Sequence, residues 1–85
     1  MRGVIRLHDK HTHDGVVVQV SSTPTLHGKP VAVKGDIVMC PEHGLNPIVE
    51  GSSTWEINGK PVALHGHKCE CGCSLITSLP NVGEE

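Results

Sequence analysis

The chain has neither phenylalanine nor tyrosine, and Trp55 is its single aromatic residue. Large rings usually supply much of the area a core buries, so a core built on them is excluded. Its 85 residues make one domain, 1–85. A domain this short often needs a staple, either a disulfide or a metal. A basic excess is lacking as well: seven Lys and Arg face nine Asp and Glu, a formal net charge of −2. Nucleic acid is therefore not an expected partner, because its binding rests on a basic footprint. No apolar run approaches a membrane span, and the first residues lack the apolar stretch of a secretory signal. The expectation is a cytoplasmic protein without stable membrane insertion, released only if a dedicated machine exports it. In that reducing compartment, four Cys beside seven His read as metal ligands before disulfides.

What the chain does have is a repeat. Leu26-His27-Gly28-Lys29-Pro30-Val31-Ala32-Val33 returns 31 residues later as Ile57-Asn58-Gly59-Lys60-Pro61-Val62-Ala63-Leu64. Cys40 falls on Cys71, and Ser21-Ser22-Thr23 on Ser52-Ser53-Thr54. A fixed period marks units that cannot bury their apolar faces alone. The apolar residues are mostly Val, Ile and Leu, punctuated by ten Gly and six Pro. That composition favours short strands and turns over helix. The fold class expected is all-β, a small pseudo-threefold repeat of hairpins with little or no helix.

In chain order, Met1 to Leu7 suits a first strand and the polar segment 8–15 a loop. Val16 to Val20 is a β-branched strand, followed by a turn around Pro24. His27-Gly28 and Asn58-Gly59 make the tight turns of the two repeats, Asn-Gly being a strong hairpin signal. Val31–Val33, Val62–Leu64, Ile48–Val49 and Leu75–Ile76 read as further strands. The tail 79–85, with Pro80 and Gly83, reads as a frayed end.

A degenerate third copy opens the chain. Placing Asp9 on Asp36 and His67 puts His13, Cys40 and Cys71 at one equivalent position. Three equivalent loops around one axis would bring three ligands together, and a tetrahedral Zn2+ needs a fourth. His43, in Cys40-Pro41-Glu42-His43-Gly44, has the short spacing that lets one turn hold an ion twice. The metal ligands expected are His13, Cys40, His43 and Cys71. The bland alternative is two small buried cysteines and solvated loop histidines. Other ligand choices stay open: His65 or His67 could replace a cysteine. Cys69 and Cys73 would share a side with Cys71 in an extended segment. His8 and His11 read as neighbours of the site or exposed residues, and His27 as a turn residue. Trp55 serves equally as a core cap or an interface anchor.

Catalysis is not expected. A catalytic Zn2+ keeps an open position and works in a pocket with a general base. Here four ligands are available, the chain is small, and Glu42 is the only carboxylate inside the ligand loop. A redox role would want Cys-x-x-Cys at a helix start, whereas this chain has Cys-x-Cys-x-Cys.

Taken together, these segments resemble the PAAR-repeat family, named for a proline–alanine–alanine–arginine motif and known as the tips of type VI secretion spikes. The matching residues are His13-Asp14-Gly15, the two Gly-Lys-Pro-Val-Ala segments, Gly35-Asp36, Cys40-Pro41-Glu42-His43-Gly44, Cys71-Gly72 and Leu75-Ile76. The motif's Arg is absent, His67 stands where Asp is usual, and Cys69 and Cys73 are extra. The resemblance implies a cone of β structure with Zn2+ near its vertex, stabilising a point that helps pierce an envelope. It implies a flat base that caps the trimeric valine–glycine repeat spike protein, so that one monomer sits on a trimer. It implies a protein that is cytoplasmic until loaded and then secreted. Effector proteins would be further partners, carried as separate cargo because the chain ends at Glu85 without a toxin extension. The competing class is a stand-alone structural zinc module for protein interaction, without a secretion role.

Overall fold

The structure, a computed structural model, describes residues 2–22 and 24–84. No helix occurs among them, and none of their strands exceeds six residues. In chain order they are β1 (Arg2–Val4), β2 (Lys10–His11), β3 (Val16–Gln19), β4 (Thr25–Leu26), β5 (Lys29–Pro30) and β6 (Ile37–Cys40). There follow β7 (Gly44–Pro47), β8 (Glu56–Ile57), β9 (Lys60–Pro61), β10 (Leu75–Ile76) and β11 (Leu79–Glu84). β-Branched residues and frequent Gly and Pro give this result, because they allow pairing but interrupt it every few residues.

Three chain segments cross at the centre. Ile5 N–H donates to Ala63 O at 3.0 Å, Ala63 N–H to Ala32 O at 2.9 Å, and Ala32 N–H to Ile5 O at 2.8 Å. A second cycle lies one step out: Leu7 N to Pro30 O, Lys34 N to Pro61 O, and His65 N to Gly3 O. Donation that returns to its starting segment after three steps requires three segments around one axis. The fold is a pseudo-threefold repeat. The strands expected at Val31–Val33 and Val62–Leu64 are therefore only single rungs, Arg6 with Val31, Val33 with Val62, and Val4 with Leu64. Each segment meets a different neighbour on either side, so no register continues into a ladder.

Alternation along these segments sorts side chains into two layers. Ile5, Ala32 and Ala63 join one core cluster with Val17, Val38, Ile48, Cys69, Cys73 and Leu75. Val4, Val31, Val33, Val62 and Leu64 form the other, against which Leu26, Trp55, Leu79 and Val82 pack. Trp55 thus caps this small core. Arg6 takes the place that Val33 and Leu64 hold in the other units, and it is buried. Its guanidinium donates to Leu26 O at 3.1 Å and Ser78 Oγ at 2.7 Å.

On one side of the axis stand three hairpins. The first is β2–β3 and the second β6–β7; the third joins Lys68 and Cys69 to Cys73, Ser74 and β10. Neighbouring hairpins pair through β3–β6, Ile48–Cys69 and β10–β2, so the six strands close into a ring. On the other side stand three two-stranded arms, β4–β5, β8–β9 and β1–β11. The first two turn at His27-Gly28 (φ 52° and 85°) and Asn58-Gly59 (φ 54° and 81°). Two consecutive left-handed residues define the type I′ turn that Asn-Gly encodes.

The third arm corrects the reading of the tail. Residues 79–84 are not frayed; they form β11, which pairs with β1 through Arg2–Glu84 and Gly3–Gly83. The two chain ends build the arm that one hairpin supplies elsewhere. Gly83 is needed because a Cβ there would overlap Arg2 O. Met1, Thr23 and Glu85, which belong to the expected first strand, the Ser21-Ser22-Thr23 match and the tail, lie outside the described residues.

Candidate metal centre

Each apical hairpin begins with the same local device. Asp9 Oδ2 accepts the Arg6 N–H at 2.9 Å, Asp36 Oδ2 the Val33 N–H at 2.8 Å, and His67 Nδ1 the Leu64 N–H at 2.9 Å. In return their own N–H groups donate to the carbonyls of Arg6, Val33 and Leu64. This reciprocal turn satisfies buried backbone groups and launches three equivalent strands. Those strands carry His13, Cys40 and Cys71 to one end of the axis.

The ligand atoms of His13, Cys40, His43 and Cys71 all lie within 4.8 Å of one another. Cys40 Sγ is 3.5 Å from His13 Nδ1 and 3.4 Å from His43 Nδ1, and Cys71 Sγ is 3.7 Å from His13 Nδ1. Zn–S and Zn–N bonds of about 2.3 and 2.0–2.1 Å set the N···S edge of a tetrahedron at roughly 3.5 Å. The donor set of two sulfurs and two imidazoles, at these separations, fits a four-coordinate ion such as Zn2+. The protonation energetics agree. Burial pushes the Cys40 thiol up, but the His43 ring, the Glu42 backbone and the His13 ring bring it below its ordinary 9.0. Cys71 is treated alike: burial raises it, and contacts from Cys73, Cys40 and Asn46 lower it below 9.0. Both thiols are biased toward the thiolate, the form that binds metal.

The other sequence candidates are engaged elsewhere. His65 is exposed and its Nδ1 accepts the Thr77 N–H at 3.1 Å. His67 fills the Asp-like turn position described above. Residues 69–73 do not run extended, which corrects the view that Cys69, Cys71 and Cys73 share a side. They form a turn with Gly72 at φ 91°, so Cys71 projects at the tip while Cys69 and Cys73 sink into the core. Burial raises the thiols of both.

Three cross-braces hold the hairpins in register. His11, almost fully buried, accepts the His13 N–H on Nδ1 at 3.1 Å and places Nε2 2.7 Å from Met39 O. It ties the first hairpin to the second, and a Cβ at Gly15 would overlap both Met39 O and the His11 ring. Asn46 Oδ1 accepts the Cys71 N–H at 3.2 Å, tying the second to the third. Thr12 and Ser74 exchange two bonds of 3.0 Å, tying the third to the first. Of these braces, the sequence reading singled out only His11, as a neighbour of the site. Asn46, Thr12 and Ser74 have no counterpart in the repeat that would have marked them.

A family model for the PAAR motif matches residues 7–77, most of the 85-residue chain. The chain belongs to the PAAR-motif family. No curated protein matches it significantly. The PAAR motif marks a structural module related to type VI spike tips, not an enzyme family. The match covers all three apical hairpins and four of the six arm strands, so the four clustered His and Cys residues of this PAAR chain lie inside it. Among the described residues no helix is long and apolar enough to cross a membrane.

Proposed function

We propose that this chain is the Zn2+-pinned tip that caps the trimeric valine–glycine repeat spike of a type VI secretion machine. The observation that carries the reading is the closed cycle of hydrogen bonds through Ile5, Ala32 and Ala63. A single chain with three arms about one axis presents three near-equivalent edges, which is what a monomer needs to seat on a threefold partner. The arms β4–β5, β8–β9 and β1–β11 offer short unpaired edges through which a β-structured spike would continue its pairing. His13, Cys40, His43 and Cys71 hold the ion at the opposite end. Bound there, Zn2+ supplies a cross-link among three hairpins, and in small metallo-domains such binding contributes folding free energy on the order of 10 kcal/mol. The protein's own braces at His11, Asn46 and Thr12–Ser74 keep the four ligands converged. The tip is then stiffest where load is applied as the spike enters a target envelope. The protein stays cytoplasmic until loaded and leaves with the spike, with effectors as additional passengers.

The test is co-purification of the chain with the trimeric spike protein encoded in the same genome. A complex of one chain per trimer, lost when the arms are altered and kept when Leu45 is changed to Ser on a hairpin face, supports the reading. A chain that stays monomeric beside an intact spike trimer overturns it.

A further inference from the structure

We infer that the cleft beside the first hairpin, lined by His8, Lys10, Lys29, Ile76 and Thr77, binds a phosphate monoester. This site shares no residue with the metal centre, and it touches the spike-facing arms only through Lys29 on β5. It arises from a break in the threefold pattern. Residues 8, 35 and 66 are equivalent: each donates its N–H at 2.9 Å, to the carbonyls of Val17, Ile48 and Leu75 respectively. Each is left-handed, with φ of 71°, 96° and 87°. Two of the three are glycine, the residue for which this conformation carries no penalty. The third is His8, whose strain sets an exposed imidazole against the cleft. A side chain kept at a backbone position that favours glycine is a reason to look for a function.

The surroundings suit a dianion. The cleft holds about 280 Å³, and Lys10 and Lys29 line it with His8. Neither lysine has an ion-pair partner among the described residues. Asp9 also lines the cleft, but its carboxylate is occupied by the Arg6 N–H, the Ser78 N–H and the Ser78 hydroxyl. The lining therefore sets two lysines and an exposed imidazole against one buried, hydrogen-bonded carboxylate. A lining with two lysines and an imidazole suits a phosphate monoester, which carries about two negative charges and three acceptor oxygens. A carboxylate offers fewer oxygens and half the charge. Ile76, part-exposed on one wall, suits the carbon skeleton of the ester.

The test is a titration of the metal-loaded protein with inorganic phosphate, followed by NMR at His8, Lys10 and Lys29, with sodium chloride at matched ionic strength. Saturable shifts confined to these residues are expected with phosphate and not with chloride. Lys29→Gln should bind about tenfold more weakly, the loss of one charge-assisted hydrogen bond. His8→Gly should melt higher than the parent, its strain relieved, and yet bind more weakly. Sedimentation with phosphatidylcholine vesicles containing phosphatidic acid identifies the source: capture points to a lipid headgroup, and phosphate binding without capture to a soluble ester. Shifts that track ionic strength alone, or phosphate binding unchanged in both Lys29→Gln and Lys10→Gln, overturn the site.

Discussion

His67 shows how one side chain can stand in for another. Its Nδ1 accepts the Leu64 N–H as the carboxylates of Asp9 and Asp36 accept theirs. His67→Asp should therefore fold with near-parental stability. His67→Ala orphans a buried donor and should lose about 1–3 kcal/mol in a denaturant melt; equal losses in both variants would contradict this account. The spacing in the sequence made the three positions equivalent, but it could not say that the shared role is to accept a backbone N–H. That role depends on a left-handed turn residue between acceptor and donor, visible only in the backbone. The cysteines add a pH dependence. Burial raises Cys69 above its ordinary 9.0, and Cys73 more so, through burial and the neighbouring thiols of Cys69 and Cys71. A group raised on folding contributes stability in full below its unfolded value and loses it as pH rises through the folded one. Cys40 and Cys71 are lowered, so their contribution is already complete above 9.0. Stability should thus decline on the alkaline side of 9.0, and Cys73→Ala should flatten that slope even though its core packing is poorer. A slope left unchanged by this variant would remove the assignment.

At the scale of elements, the turns were legible and the last strand was not. Consecutive left-handed residues at His27-Gly28 and Asn58-Gly59 follow from short-range chemistry that the sequence carries openly. β11 depends instead on β1, at the far end of the chain. Its Pro80 and Gly83 look like breakers until Gly83 is seen pressed against Arg2. The central segments fail in the opposite sense: Val31–Val33 and Val62–Leu64 have the composition of strands, but three-way crossing leaves them single rungs. Because Leu79 and Val82 pack on the second core cluster, removing residues 79–85 uncovers that layer and unpairs β1. The truncated chain should lose roughly 2–5 kcal/mol in a denaturant melt, and an unchanged midpoint would contradict the split arm.

For the molecule as a whole, the ring of hairpins explains why so few apolar residues suffice. Two thin layers of Val, Ile, Leu and Ala meet across the axis, and no large ring fills either. The closed strand order was beyond the sequence, because the repeat fixes which segments are alike but not which edges meet. The convergence of three of the four clustered residues was within reach, since a shared position in three units selects His13, Cys40 and Cys71 over the remaining histidines and cysteines. The most direct test is metal analysis with X-ray absorption on the purified chain, before and after chelation, alongside thermal melts. The account predicts one Zn2+ per chain, two sulfur ligands at about 2.3 Å and two nitrogen ligands at about 2.0–2.1 Å, and a melting point that collapses on chelation. A chain that purifies without metal, takes up none when Zn2+ is supplied, and melts unchanged with chelator would contradict it.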